Sequence, residues 1–127
     1  MGLTHVAVTL RNSGSEDFYT ANFLVDTGAI DSLAPGSELK RMGIKPAGKR
    51  VYELANGELV EYEYAWVEFS LLDDVISSRI VFGPDDTEPL LGVLALEAVG
   101  LVVDPITHKL KRLEALPLKA LALKSVA

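Results

Sequence analysis

The chain has 127 residues, 49% apolar and 24% charged, with no cysteine and a net charge of −6 with neutral histidines. That length suits one domain with a real core, and the composition excludes a disordered chain. The lack of cysteine excludes disulfides, thiolate metal sites and cysteine nucleophiles, and the acidic balance argues against nucleic acid and anionic membrane surfaces as partners.

The longest run free of Asp, Glu, Lys and Arg is residues 1–10, far short of the about 20 apolar residues of a membrane span. No charged start followed by an apolar run and a cleavage site opens the chain. The reading is a soluble, cytoplasmic protein.

Period-2 apolar alternation dominates and predicts mostly strands. Residues 4–10 read as a first strand, residues 11–15 as a turn and residues 18–25 as a second strand. The hairpin runs into Asp26-Thr27-Gly28-Ala29, where glycine permits a tight bend. Residues 35–42 suit a short helix stopped by Gly43. Residues 49–55 and 58–72 read as strands around Asn56-Gly57, a strong hairpin signal. In the second of these, Val60, Tyr62, Tyr64 and Trp66 share a face, after which the apolar set shifts to Val67, Phe69 and Leu71. A strand leaving a solvated arm for a core, through a bulge, has this pattern. Residues 77–82 form a further strand, and Leu90-Leu91-Gly92 precedes a short helix over residues 93–99 with Gly100 as its stop. Residues 101–104 and 109–113 make a final hairpin around Pro105-Ile106-Thr107-His108, and the tail from Glu114 has no assignable period. The expected fold class is all-β: a mainly β domain with two short helices.

The chemistry starts at Asp26. An apolar strand delivers its carboxylate into a turn, followed by a small hydroxyl and a glycine. An aspartate at the end of a core strand is either satisfied by its turn or employed. Asp-Thr-Gly is also ordinary turn chemistry, so the tripeptide alone is weak. Two further elements follow in order: the Asn56-Gly57 hairpin with aromatic arms, and Glu88-Pro89-Leu90-Leu91-Gly92 ahead of a short helix.

Together these elements resemble the retropepsin-like (clan AA) aspartic proteases, the single-domain relatives of pepsin, and the cellular prokaryotic members more than the viral ones. The resemblance spans residues 6–113; residues 1–113 are the expected protease domain and residues 114–127 an unassigned tail. It implies an acid-protease half-barrel that closes as a two-fold homodimer. In that family Leu90, Leu91 and Gly92 would cross beneath the Asp26 loop as supports. Thr27 would lock the two loops across the interface, Gly28 would present its backbone to substrate, and Ala29 would pack beneath. The hairpin from Tyr52 through Leu54, Ala55, Asn56 and Gly57 to Tyr62 would be the flap over an extended peptide.

Aspartic proteases need two carboxylates sharing one proton about one water. Only one Asp-Thr-Gly occurs; Asp31-Ser32-Leu33, Asp86-Thr87-Glu88 and Asp104-Pro105-Ile106 lack the glycine. A monomer would hold half a site, and an isologous dimer would bring two Asp26 carboxylates together. The implied activity is aspartic endopeptidase, with peptide or protein as substrate and no metal or cofactor. One departure stands out. Viral members place a second Asp two residues after the motif's glycine to bind substrate backbone, whereas here Ile30 holds that position and Asp31 follows. Ile30 and Asp31 are therefore candidate substrate contacts with an altered register. The alternative reading is a catalytically inactive, dimeric peptide-binding or scaffolding module of the same fold.

The remaining features have plain explanations. Tyr64 and Trp66 read as strand-face packing, and His5 and His108 lack partners at metal-ligand spacing. Lys109, Lys111 and Arg112 suit a solvated strand face, and Asp73-Asp74 and Asp85-Asp86 suit solvated loops.

Overall fold

Residues 4–104 and 106–116 are described by a computed structural model. Pro105 of the expected final turn, and residues 117–127 of the tail, lie outside the described residues.

Alternation builds the strands as expected. In β1 (His5–Arg11) Val6, Val8 and Leu10 are buried while their neighbours face outward. The strand pairs antiparallel with β2 (Phe18–Val25), from His5↔Leu24 to Arg11↔Phe18. Phe23, Leu10 and Phe69 are fully buried, and each such side chain contributes about 1.5–3 kcal/mol of burial free energy.

After the Asp26 turn comes β3 (Ser32–Pro35), a four-residue strand without a period of its own. It runs straight into α1 (Gly36–Arg41), which falls inside the expected helix and ends at Gly43 with φ +79. The hairpin follows as β4 (Gly48–Glu53) and β5 (Leu59–Leu71). Next come β6 (Asp74–Gly83), the two-residue β7 (Leu90–Leu91), α2 (Val93–Ala98), β8 (Leu101–Val103) and β9 (Leu110–Arg112). The last two strands pair only with each other.

The main sheet runs β1-β2-β7-β3-β6-β5-β4, and β1 also pairs with β5, so six strands close on themselves. β5 accomplishes this by its length. On one edge it pairs with β6; on the other it pairs with β4 up to Tyr64 and with β1 from Glu68 to Ser70.

Three local expectations change. β6 begins at Asp74 rather than Ser77, because Leu72 (φ 49) and Asp73 (φ 62) make a two-residue hairpin turn without glycine. The shift of apolar parity in β5 needs no bulge, since pairing with β6 is unbroken from Tyr64↔Val81 to Leu71↔Asp74. Both faces of β5 are used in turn: Ala65, Val67, Phe69 and Leu71 enter the core, while the opposite face carries the aromatic residues. The Asn56-Gly57 hairpin has a three-residue loop, with Leu54 and Glu58 closing it and Gly57 at φ +86. Here glycine supplies the left-handed residue that follows the turn.

Candidate active site

Asp26 is the first residue past β2, and its position is fixed from three sides. Its N–H donates to the Leu91 carbonyl at 3.0 Å, its carbonyl accepts from the Ala29 N–H at 3.2 Å, and its Oδ1 accepts from the Gly28 N–H at 2.9 Å. Phe23 anchors the strand in the core, whereas Asp26 is half-buried and Thr27 and Gly28 are exposed. The turn therefore holds a carboxylate at the surface end of a rigid strand, in the orientation its own amide neighbour fixes. A bulkier residue at Gly28 would crowd that carboxylate, because a Cβ there would stand 3.3 Å from Oδ1.

The support beneath the loop comes from Leu90-Leu91-Gly92. β7 inserts between β2 and β3, parallel to the first (Leu24↔Leu90, Val25↔Leu91) and antiparallel to the second (Leu33↔Leu90). Leu91 is fully buried. The Gly92 N–H donates to Ser32 Oγ at 2.9 Å, and the Val93 and Leu94 N–H groups donate to the carbonyls of Ala29 and Ile30. The first turn of α2 thus satisfies its orphan donors on the active-site loop itself.

The flap candidates Leu54, Ala55, Asn56 and Gly57 occupy the exposed hairpin tip, with Asn56 Oδ1 accepting from the Glu58 N–H. Tyr52 lies on the arm, its ring 6.3 Å from that of Tyr62. Its hydroxyl donates to Asp31 Oδ2 at 2.8 Å, and Arg79 Nε donates to Asp31 Oδ1 at 3.1 Å. Both oxygens of Asp31 are therefore engaged inside the protein, and its side chain is only 4% exposed. Ile30, by contrast, is 67% exposed. Burial first, then the hydrogen bond to Asp31 and the Asp31 charge, push the Tyr52 hydroxyl well above its ordinary pKa.

Arg79 was not legible as a site residue, since it is one polar position in an alternating strand. Its guanidinium lies 5.3 Å from the Tyr64 ring centroid and 5.5 Å from that of Trp66, within cation–π range. Those two aromatics, expected to be strand-face packing, are what Arg79 lies against. Ser32 was missed too, because its role depends on a glycine far along the chain. Of the two histidines, His5 meets Glu88 at 3.3 Å on the surface. Among the described residues no group of three or more His, Asp or Glu side chains is gathered around a metal-sized site.

Comparisons with known proteins agree with this geometry. A search of curated proteins by sequence found no match. The solution structure of simian foamy virus (mac) protease superposes with a TM-score of 0.53 at 13% identity, covering 73% of this chain and 91% of that one. The foamy viral protease–reverse transcriptase, solved with an RNA/DNA hybrid, gives a TM-score of 0.57 at 18% identity over 98% of this chain. This chain corresponds to 14% of that longer protein. At such identities the likeness is one of fold. The family model described as Aspartyl protease matches residues 6–94, from β1 through the crossing to the start of α2. Among the described residues no helix is long and apolar enough to cross a membrane. With the family's span covering the Asp26 turn, the hairpin and the Leu90-Leu91-Gly92 crossing, the chain belongs to the aspartyl protease family and carries a retropepsin-like domain.

Proposed function

We propose that this chain is one half of a homodimeric aspartic endopeptidase, with Asp26 from each protomer forming the catalytic pair. The observation that supports this most is the Asp26 turn: a half-buried carboxylate at the end of a core strand, pinned through its N–H to Leu91 and through Oδ1 to Gly28.

In this reading two like charges in contact cannot both ionise cheaply, so the pair shares one proton. The ionised carboxylate takes a proton from the bound water as that water attacks the peptide carbonyl. The protonated partner donates to the carbonyl oxygen, and the tetrahedral intermediate then collapses with proton transfer to the leaving amine. No covalent enzyme intermediate forms. Thr27 joins the two loops across the axis, Gly28 offers backbone to the substrate, and the β4–β5 hairpin closes over an extended peptide and excludes water. Residues 1–113 are taken as the catalytic unit.

The test is cleavage of a diverse peptide library across pH 4 to 7 by wild type and Asp26→Asn, with pepstatin as control. Cleavage by wild type alone is the expected result. If neither protein cleaves while both sediment as dimers, the endopeptidase reading falls and a peptide-binding module takes its place.

A further inference from the structure

β4 is the terminal strand of the main sheet and pairs with β5 alone. Among the described residues, the one side-chain hydrogen bond from β4 to another element is that of the Tyr52 hydroxyl to Asp31. Asp31 belongs to the same loop as Asp26 and is held from below by the close passage of Gly92. Its second oxygen is bound by Arg79, whose side chain is 15% exposed and whose guanidinium lies against Tyr64 and Trp66.

We propose that Tyr52, Asp31 and Arg79 form a latch that fixes the flap arm to the active-site loop, and that they are positioning residues for peptide binding. The proposal rests on the reading of Asp26 as the catalytic carboxylate. Arg79 neutralises Asp31 and orients it, and the stacked aromatics hold Arg79 in place. The remaining oxygen then accepts from Tyr52, a charge-assisted bond stronger than a neutral one. Order in the arm is prepaid in the free enzyme, so the peptide meets a flap whose base is already placed. At 4% exposure the Asp31 side chain is also withdrawn from solvent, whereas the neighbouring Ile30 is 67% exposed.

Tyr52→Phe tests this with the ring retained. Losing a hydrogen bond to a charged group corresponds to about a tenfold change in a local opening equilibrium. Amide hydrogen exchange in β4 and in residues 59–64 should therefore quicken by about that factor, while β1 amides keep their wild-type rates. On a peptide that wild type cleaves, KM should rise by a similar factor, about tenfold, with kcat changed by less than about twofold, the signature of lost uniform binding. Unchanged exchange in β4 would overturn the latch, and a fall in kcat at constant KM would overturn the positioning role. Asp31→Asn should quicken the same amides; if it does not fold, Tyr52→Phe still decides. If wild type cleaves nothing while sedimenting as a dimer, the protease reading fails separately, and exchange in Tyr52→Phe still reports the latch.

Discussion

Gly92 passes so close to Asp31 that a Cβ built on it would lie 2.6 Å from both the carbonyl carbon and the carbonyl oxygen of Asp31. The neighbour is backbone and cannot rotate away. This contact is where the strand from the second half of the chain locks the loop that carries Asp26.

Gly92→Ala should consequently lower stability by about 3 kcal/mol, at the upper end for overpacking. Urea denaturation followed by circular dichroism measures this directly. A loss below about 1 kcal/mol would mean that the crossing is looser than the contact implies.

Arg79 and Asp31 make a second prediction. Removing the guanidinium leaves a carboxylate that is 4% exposed without its charge partner, so Arg79→Met should cost about 3 kcal/mol. Adding Asp31→Leu to that variant should recover most of the loss, because the uncompensated charge then disappears. The comparison is a double-mutant cycle by chemical denaturation, and no recovery would show that the pair matters for packing rather than charge.

The parts of this fold that the sequence disclosed are those with local chemistry. Asp26-Thr27-Gly28, Gly43, Asn56-Gly57 and Gly100 announce turns or helix ends through residues suited to them. The alternation of Val6, Val8 and Leu10 marks a half-buried strand. β3 and β7 escaped notice because four and two residues are too few to show a period, and both exist only through pairing with distant strands. Arg79 escaped for a related reason: nothing in Ser78-Arg79-Ile80 distinguishes a latch from a solvated position. Asp31 was visible as a charge beside the motif, but its partners Tyr52 and Arg79 come from other elements.

The turn at Leu72 and Asp73 was hidden by its residues, and it yields a third prediction. Both sit at positive φ, and Leu72 is 42% exposed. Relieving a left-handed conformation is worth roughly 1 kcal/mol per residue. Leu72→Asn combined with Asp73→Gly should raise stability by at least about 1 kcal/mol, read as a higher urea midpoint at unchanged slope. A lower midpoint would mean that the leucine side chain contributes more than the strain costs.

Alkaline titration gives a fourth. The Tyr52 hydroxyl is raised above its ordinary value of 10.0, so the folded state holds that proton more tightly than the unfolded chain does. Its stabilisation is complete below the unfolded value and is lost as pH rises through the folded one. The stability advantage of wild type over Tyr52→Phe should therefore hold up to about pH 10 and shrink across the window from about pH 10 to about pH 12. A constant difference across that window would contradict the tie to Asp31.

The central claim is that each protomer supplies one carboxylate to a shared site, and subunit mixing tests it most directly. A fixed amount of wild type is equilibrated with increasing Asp26→Asn, and peptide cleavage is followed. Random pairing leaves about half of the wild-type activity at equal amounts and progressively less beyond that, because mixed dimers hold a single ionisable partner. Activity that stays constant under excess Asp26→Asn would contradict the account, since the catalytic site would then lie within one chain.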